Sequence, residues 1–102
     1  MTTKRDIIVC TSDSSQFPLL LKEIAQPPSC LYIKGSLDHT RPHIAIVGTR
    51  RASAAGRDTA RAFGNALGRA GVVVVSGLAM GIDTAAHEGA VEANAPTIAV
   101  LG

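Results

Sequence analysis

Aromatic side chains are nearly missing from this sequence: Phe17, Tyr32 and Phe63 are the whole set, and there is no tryptophan. A surface that recognises flat ligands mainly by ring stacking is therefore excluded, and a core must be built from aliphatic and small residues. Cysteine is equally scarce. Cys10 and Cys30 stand twenty residues apart with no CxxC spacing and no His or acidic partner at a metal-like interval, so neither a zinc site nor a disulfide scaffold is indicated. Reduced thiols in a cytoplasmic protein are the reading they support. No apolar run approaches the roughly 20 residues of a membrane helix. The opening MTTKRDIIVC has two basic residues but neither the apolar stretch nor the small-residue cleavage pattern of a signal peptide. Lysine is missing after residue 34, which excludes a GxxxxGK[ST] phosphate loop.

What is present is arginine, and it is local. Residues 41–70 hold Arg41, Arg50, Arg51, Arg57, Arg61 and Arg69 against the single acid Asp58, whereas residues 72–102 hold Asp83, Glu88 and Glu92 with no Lys or Arg. Forked guanidinium contacts suit phosphate, although an ordinary solvated face gives the same pattern and charge alone does not separate the two.

Three short apolar runs punctuate the chain: IAIVG (44–48), VVVVSG (72–77) and TIAVLG (97–102). Runs of this length, rich in β-branched residues and closed by glycine, suit strands buried on both faces of a parallel sheet. Between them, 53–71 has helical period, with Ala60, Phe63, Leu67 and Ala70 on one face, Arg57, Arg61, Asn65 and Arg69 on the other, and Gly71 as the stop. From Ile82 to Ala93 the face made by Ile82, Ala85, Ala86, Gly89, Ala90 and Ala93 is almost entirely small, suited to close approach to a sheet. The alternation predicts an α/β fold, a Rossmann-like parallel sheet with flanking helices. PTIAVLG (96–102) reads as a strand plus the glycine of a following loop, so the chain is expected to be part of a larger domain. Residues 1–40 are less regular: strands at 6–12 and 30–35 and a short helix at 17–24, too short for a core of their own and expected to pack on the sheet formed by 41–102.

Ligands of parallel sheets gather beyond the carboxyl ends of the strands. Two loops stand there, GTRRAS (48–53) and SGLAMGID (76–83). Each offers glycines, helix-N-terminal amides and the positive end of a helix dipole, and Arg50 and Arg51 add full charges. An anion fits, with phosphate the commonest, although βα turns need glycine for backbone geometry alone. A dinucleotide fingerprint is missing, since the first loop is not GxGxxG and Ser76-Gly77 stand where the ribose-binding acid belongs. Ser76, Asp83 and His87 contain the residue types of a hydrolytic triad, but Asp83 and His87 lie one turn apart on one helix and nothing brings the serine to the imidazole. The better reading has Asp83 at the helix N-terminus and His87 in local contact with it. A carboxylate there competes with a bound anion, which leaves most of the attraction to the arginines. His39 and His43 lack a third metal partner and read as solvated.

From IAIVGTRRAS through SGLAMGIDTAAHEGAV to IAVLG, residues 44–102 resemble the DNA-processing protein A (DprA, or Smf) family, with its G-[ST]-R-x-x-S loop, SGLAxGID loop and A-H-x-x-A helix in order. The upstream stretch FPLLLKEIAQPPSCLYIKGSL extends the likeness to residues 17–102. The resemblance implies a non-enzymatic protein, dimeric at full length, that binds single-stranded DNA during natural transformation and loads the RecA recombinase, without cofactor or metal. Carried onto this sequence, the DNA-facing residues are Gly48, Thr49, Arg50 and Ser53 from the first loop and Ser76, Gly77 and Gly81 from the second, with Arg51 added on charge. Met80 departs from the family pattern, which often has Arg at that position. With so few aromatics, phosphate contact is expected to dominate binding. The alternative is a nucleotide-processing Rossmann-like enzyme of the phosphoribohydrolase kind, whose downstream PGGxGT stretch and catalytic acid are not visible in these residues.

Overall fold

The structure is a computed structural model that describes residues 7–102. The chain divides into two compact units, one ending at His39 and the other running from Thr40 to Gly102.

In the first unit, β1 (Ile7–Thr11) pairs antiparallel with β2 (Cys30–Lys34), Cys10 opposite Leu31 and Ile8 opposite Ile33. That register puts Ile8, Cys10, Leu31 and Ile33 on one face. The short helix expected at 17–24 is a 3₁₀ helix at Leu19–Glu23, between Pro18 before and Pro27-Pro28 after. Against expectation, the unit has a small core of its own: Cys10, Phe17 and Ile33 are buried, with Leu21, Leu31 and Leu37 packed on them. Phe17, the largest apolar side chain available, makes this possible. Asp6, at the start of the expected first strand, lies outside the described residues.

In the second unit, β3 (His43–Ala45), β4 (Val73–Ser76) and β5 (Thr97–Ala99) form a parallel sheet in the order β3-β4-β5. The apolar runs at 44–48 and 97–102 outlast their strands, whose ends peel into loops. α1 (Ala54–Arg69) and α2 (Ile82–Glu92) fill the two crossovers. β4 is the buried centre: Val74 is fully buried with Ala86 and Ala90 of α2, and Ile46 and Leu67 close the cluster. Gly71, at φ +84°, ends α1 as expected, with Val72 N donating to Leu67 O at 3.0 Å.

The packing of α1 departs from its periodicity. Its buried residues are Ala60, Gly64 and Gly68, whereas Phe63 is 60% exposed. The small face of α2 draws α1 into backbone contact: a Cβ at Gly64 would strike the Ala86 carbonyl, and one at Gly89 the Arg61 carbonyl. A seam this tight has no place for a phenyl ring, so the glycine stripe wins over the more hydrophobic one. The all-small face of α2 thus serves the neighbouring helix as well as the sheet.

Candidate nucleic-acid interface

The two βα loops meet. Ile82 N donates to Thr49 O at 3.2 Å, and Gly81, at φ +85°, lies so close to the first loop that a Cβ there would meet the Thr49 and Arg50 carbonyls. Gly48 in turn rests on the Ile82 side chain. Glycine at 81 is required twice over, by backbone conformation and by space.

Asp83 fastens the junction. It is 6% exposed, and its carboxylate accepts from Gly48 N at 3.3 Å and from Gly77 N at 3.1 Å, one amide at the end of each strand. The protein's own carboxylate therefore sits where the sequence suggests an anion. Ser76 is likewise committed: buried, it donates its hydroxyl to Ile46 O at 2.6 Å and ties β4 to the end of the β3 strand run. Gly48 N, Gly77 N and the Ser76 hydroxyl, in residues that the resemblance expects to face DNA, are thus engaged by bonds within the fold. Ser53 caps α1, its Oγ accepting from Gly56 N at 3.0 Å. Thr49 Oγ1 accepts from Arg51 N at 3.1 Å and tightens the first loop.

Outside this latch, Thr49, Arg50 and Arg51 are exposed on the lip of the first loop, as are Leu78 and Met80 on the second. Among the described residues, the side-chain ion pairs of the arginine-rich helix centre on Arg61, which reaches Glu88 and Glu92 of α2, and neither Arg50 nor Arg51 is paired. The Glu88 hydrogen bond, backed by both carboxylates, holds Arg61 protonated more firmly than an ordinary guanidinium. Arg57 donates to Ala52 O at 2.7 Å and braces the first loop. Leu78 has φ +60°, a left-handed conformation costly for a branched side chain. Sequence reasoning reaches neither the Asp83 latch nor the Leu78 strain; the one available signal is an acid in the first turn of a helix that follows a glycine loop.

His87 does not contact Asp83 by hydrogen bond. Its Nδ1 pairs with Thr97 Oγ1 at 2.9 Å, Thr97 donates its hydroxyl to Val74 O at 2.8 Å, and Nε2 is buried without a hydrogen-bond partner among the described residues. Burial lowers the His87 pKa; the Asp83 charge and the Ser76 carbonyl oppose the shift without cancelling it. Ser76, Asp83 and His87 each have other partners, and no triad is assembled. Among the described residues no group of three His, Cys, Asp or Glu is placed to hold a metal ion, and no helix is long and apolar enough to cross a membrane.

A parallel α/β layer whose βα loops lock together at the strand ends, with exposed arginines on the first loop, defines a Rossmann-like module. The family model described as DNA recombination-mediator protein A matches residues 8–102, and the chain belongs to that family. It is 44% identical over 97 residues to Protein Smf of Synechocystis, covering 90% of this chain and 24% of that protein. It is 39% identical over 90 residues to the DNA processing protein DprA of Bacillus subtilis, covering 86% of this chain and 30% of that one. The X-ray structure of DprA from Streptococcus pneumoniae superposes with TM-score 0.85 at 38% identity, over 93% of this chain and 34% of that chain. DprA from Helicobacter pylori, solved for its single-stranded DNA binding mode, superposes at 0.74 with 29% identity, over 91% of this chain and 42% of that chain. The chain thus spans about a quarter to two-fifths of each of these four proteins.

Proposed function

We propose that this chain carries a phosphate-contacting rim of a protein that binds single-stranded DNA in the cytoplasm during DNA uptake, loads the RecA recombinase onto it, and works as a homodimer at full length, by binding and not by catalysis. The observation that carries the reading is the exposed, unpaired Arg50–Arg51 pair on a rim held rigid by Asp83. The Helicobacter pylori relative's single-stranded DNA binding supports the choice of polyanion. Thr49, Ser53 and the Gly81 backbone complete the accessible part of the surface, and Gly48, Ser76 and Gly77 shape it from beneath.

Anisotropy with a labelled single-stranded oligonucleotide between about 50 and 200 mM salt tests the proposal, since each phosphate neutralised on a single strand contributes roughly −0.7 to the log–log salt slope. Arg50→Ala is expected to weaken binding and to flatten the slope by about 0.7 for each phosphate it leaves unneutralised, with the fold intact. Salt-independent binding, or an unchanged affinity in the folded variant, overturns the reading. Tight mononucleotide binding with product release points instead to the phosphoribohydrolase-like enzyme.

A further inference from the structure

Beside the rim, α1 and α2 diverge around a groove of about 410 Å³ with Met80, Gly81 and Ala85 as its apolar wall and Arg57, Asp58, Arg61 and Glu88 around its mouth. Its size falls within the roughly 300–1,000 Å³ of small-ligand sites. We propose that this groove receives a nucleobase of the bound strand and that Arg61 is its stacking platform; this rests on the reading of the rim as a single-strand binder.

Charge is the first reason. Two guanidinium groups face two carboxylates here, so the groove has no net attraction for phosphate, and Asp58 and Glu88 repel it. A neutral heterocycle with both donors and acceptors on its edge meets complementary groups on both sides. Position is the second. Gly81 belongs to the groove wall and also abuts the Thr49 and Arg50 carbonyls, so the groove adjoins the first loop, and a strand held by phosphate at Arg50 would have the groove within reach of its bases. The state of Arg61 is the third. Glu88 engages its Nη2 and Glu92 reaches its Nε at 3.4 Å. With its donor edge taken by α2, the guanidinium is a poor phosphate ligand but a plane of fixed orientation, half exposed at 47%. Single strands stack bases on guanidinium planes as they do on aromatic rings. Phe63, the single aromatic of the second unit, lies outside the groove lining.

The test compares a single-stranded thymidine oligonucleotide with an abasic strand of equal length, by anisotropy at one salt concentration, using the protein and folded variants checked by circular dichroism. Arg61→Lys keeps the charge and the pairing to Glu88 and Glu92 but loses the plane. It is expected to weaken the base-bearing strand by about fivefold or more, the loss of one stack, and to leave the abasic strand and the salt slope unchanged. Arg61→Tyr restores a flat surface and with it the preference for the base-bearing strand. Arg50→Ala weakens both strands alike. Parent-like binding by Arg61→Lys, equal weakening of both strands by that change, or no recovery with Arg61→Tyr overturns the base platform while the rim reading stands. If the parent protein binds neither strand, the rim reading falls and the platform falls with it.

Discussion

Replacing Asp83 with alanine separates two views of the rim. The carboxylate is 6% exposed and accepts from two amides belonging to different loops, at 3.3 and 3.1 Å. A hydrogen bond to a charged group contributes about 1.5–3 kcal/mol, and both of these are longer than the ~2.7–2.9 Å of the strongest examples, so the lower end applies. Gly48 is exposed and its freed amide can rehydrate, whereas Gly77 is half-buried and its amide is left poorer. The combined loss is about 2–3 kcal/mol, or a fall in Tm of roughly 10–20 °C for a unit of this size. Thermal and urea unfolding measure it. Binding then decides the role. If the amides are a phosphate seat blocked by Asp83, removing the carboxylate frees them and tightens binding to single-stranded DNA. If Asp83 is the latch that positions Arg50 and Arg51, Asp83→Ala loosens the loops and weakens binding even well below the variant's Tm. Asp83→Asn keeps one acceptor and one amide contact, removes the charge, and falls between parent and alanine in both measurements. An unchanged Tm, or tighter DNA binding by Asp83→Ala, refutes the latch.

Two further predictions test the structure beneath the rim. His87 is held neutral in the fold by burial, with its pKa lowered from the ordinary value near 6.5. The unfolded chain binds that proton first, so the contribution is intact above about pH 6.5 and is lost as pH falls from there toward the lowered folded-state pKa. Urea midpoints at pH 7.5 and 5.5 should therefore drop less in His87→Asn than in the parent; an equal drop assigns the acid sensitivity to other groups. The positive-φ glycines 71 and 81 differ in what surrounds them. A Cβ at Gly71 meets nothing within 4 Å, so Gly71→Ala costs only the backbone strain, about 1 kcal/mol. Gly81→Ala adds collision with two carbonyls and costs about 3 kcal/mol or more. Equal Tm losses for the two substitutions contradict the contact between the loops.

The layered α/β order was legible because strand and helix announce themselves at different periods: VVVV at 72–75 has no helical face, and 53–71 has no strand alternation. The C-terminal end of α1 was legible for a local reason too, a glycine that can stop, whereas Ser53, read as facing DNA, turns out to cap the other end. What stayed hidden was set by tertiary contact. Phe63 belongs to the most hydrophobic stripe of α1, yet Gly64 and Gly68 face inward, because the buried stripe is chosen by how closely α2 approaches and not by side-chain hydropathy. The partners of Asp83 were hidden similarly. One is six residues upstream and the other thirty-five, and nothing in local sequence states that two loops will lie within reach of one carboxylate.

That carboxylate changes what the rim is suited to bind. A helix N-terminus with open amides binds one phosphate in one orientation, since directed N–H groups fix the ligand oxygen by oxygen. Here the strand-end amides of Gly48 and Gly77, together with Ile82 N, Thr84 N and Ala85 N at the start of α2, are satisfied before any ligand arrives, and the loop geometry is set by internal bonds. The surviving attraction comes from long guanidinium side chains on a rigid base, which can follow a phosphate through many positions without strain. Such a surface discriminates weakly between one nucleotide step and the next. Binding costs it no loop-ordering entropy, because Asp83, Ser76 and Gly81 have already ordered the loops. A polymer of repeating charge, held at any register and free to slide, suits it better than a mononucleotide. The expected signature is an affinity that rises with strand length at constant salt slope per contacted phosphate, and a plateau at the length of one nucleotide would argue for a closed seat that these loops do not contain.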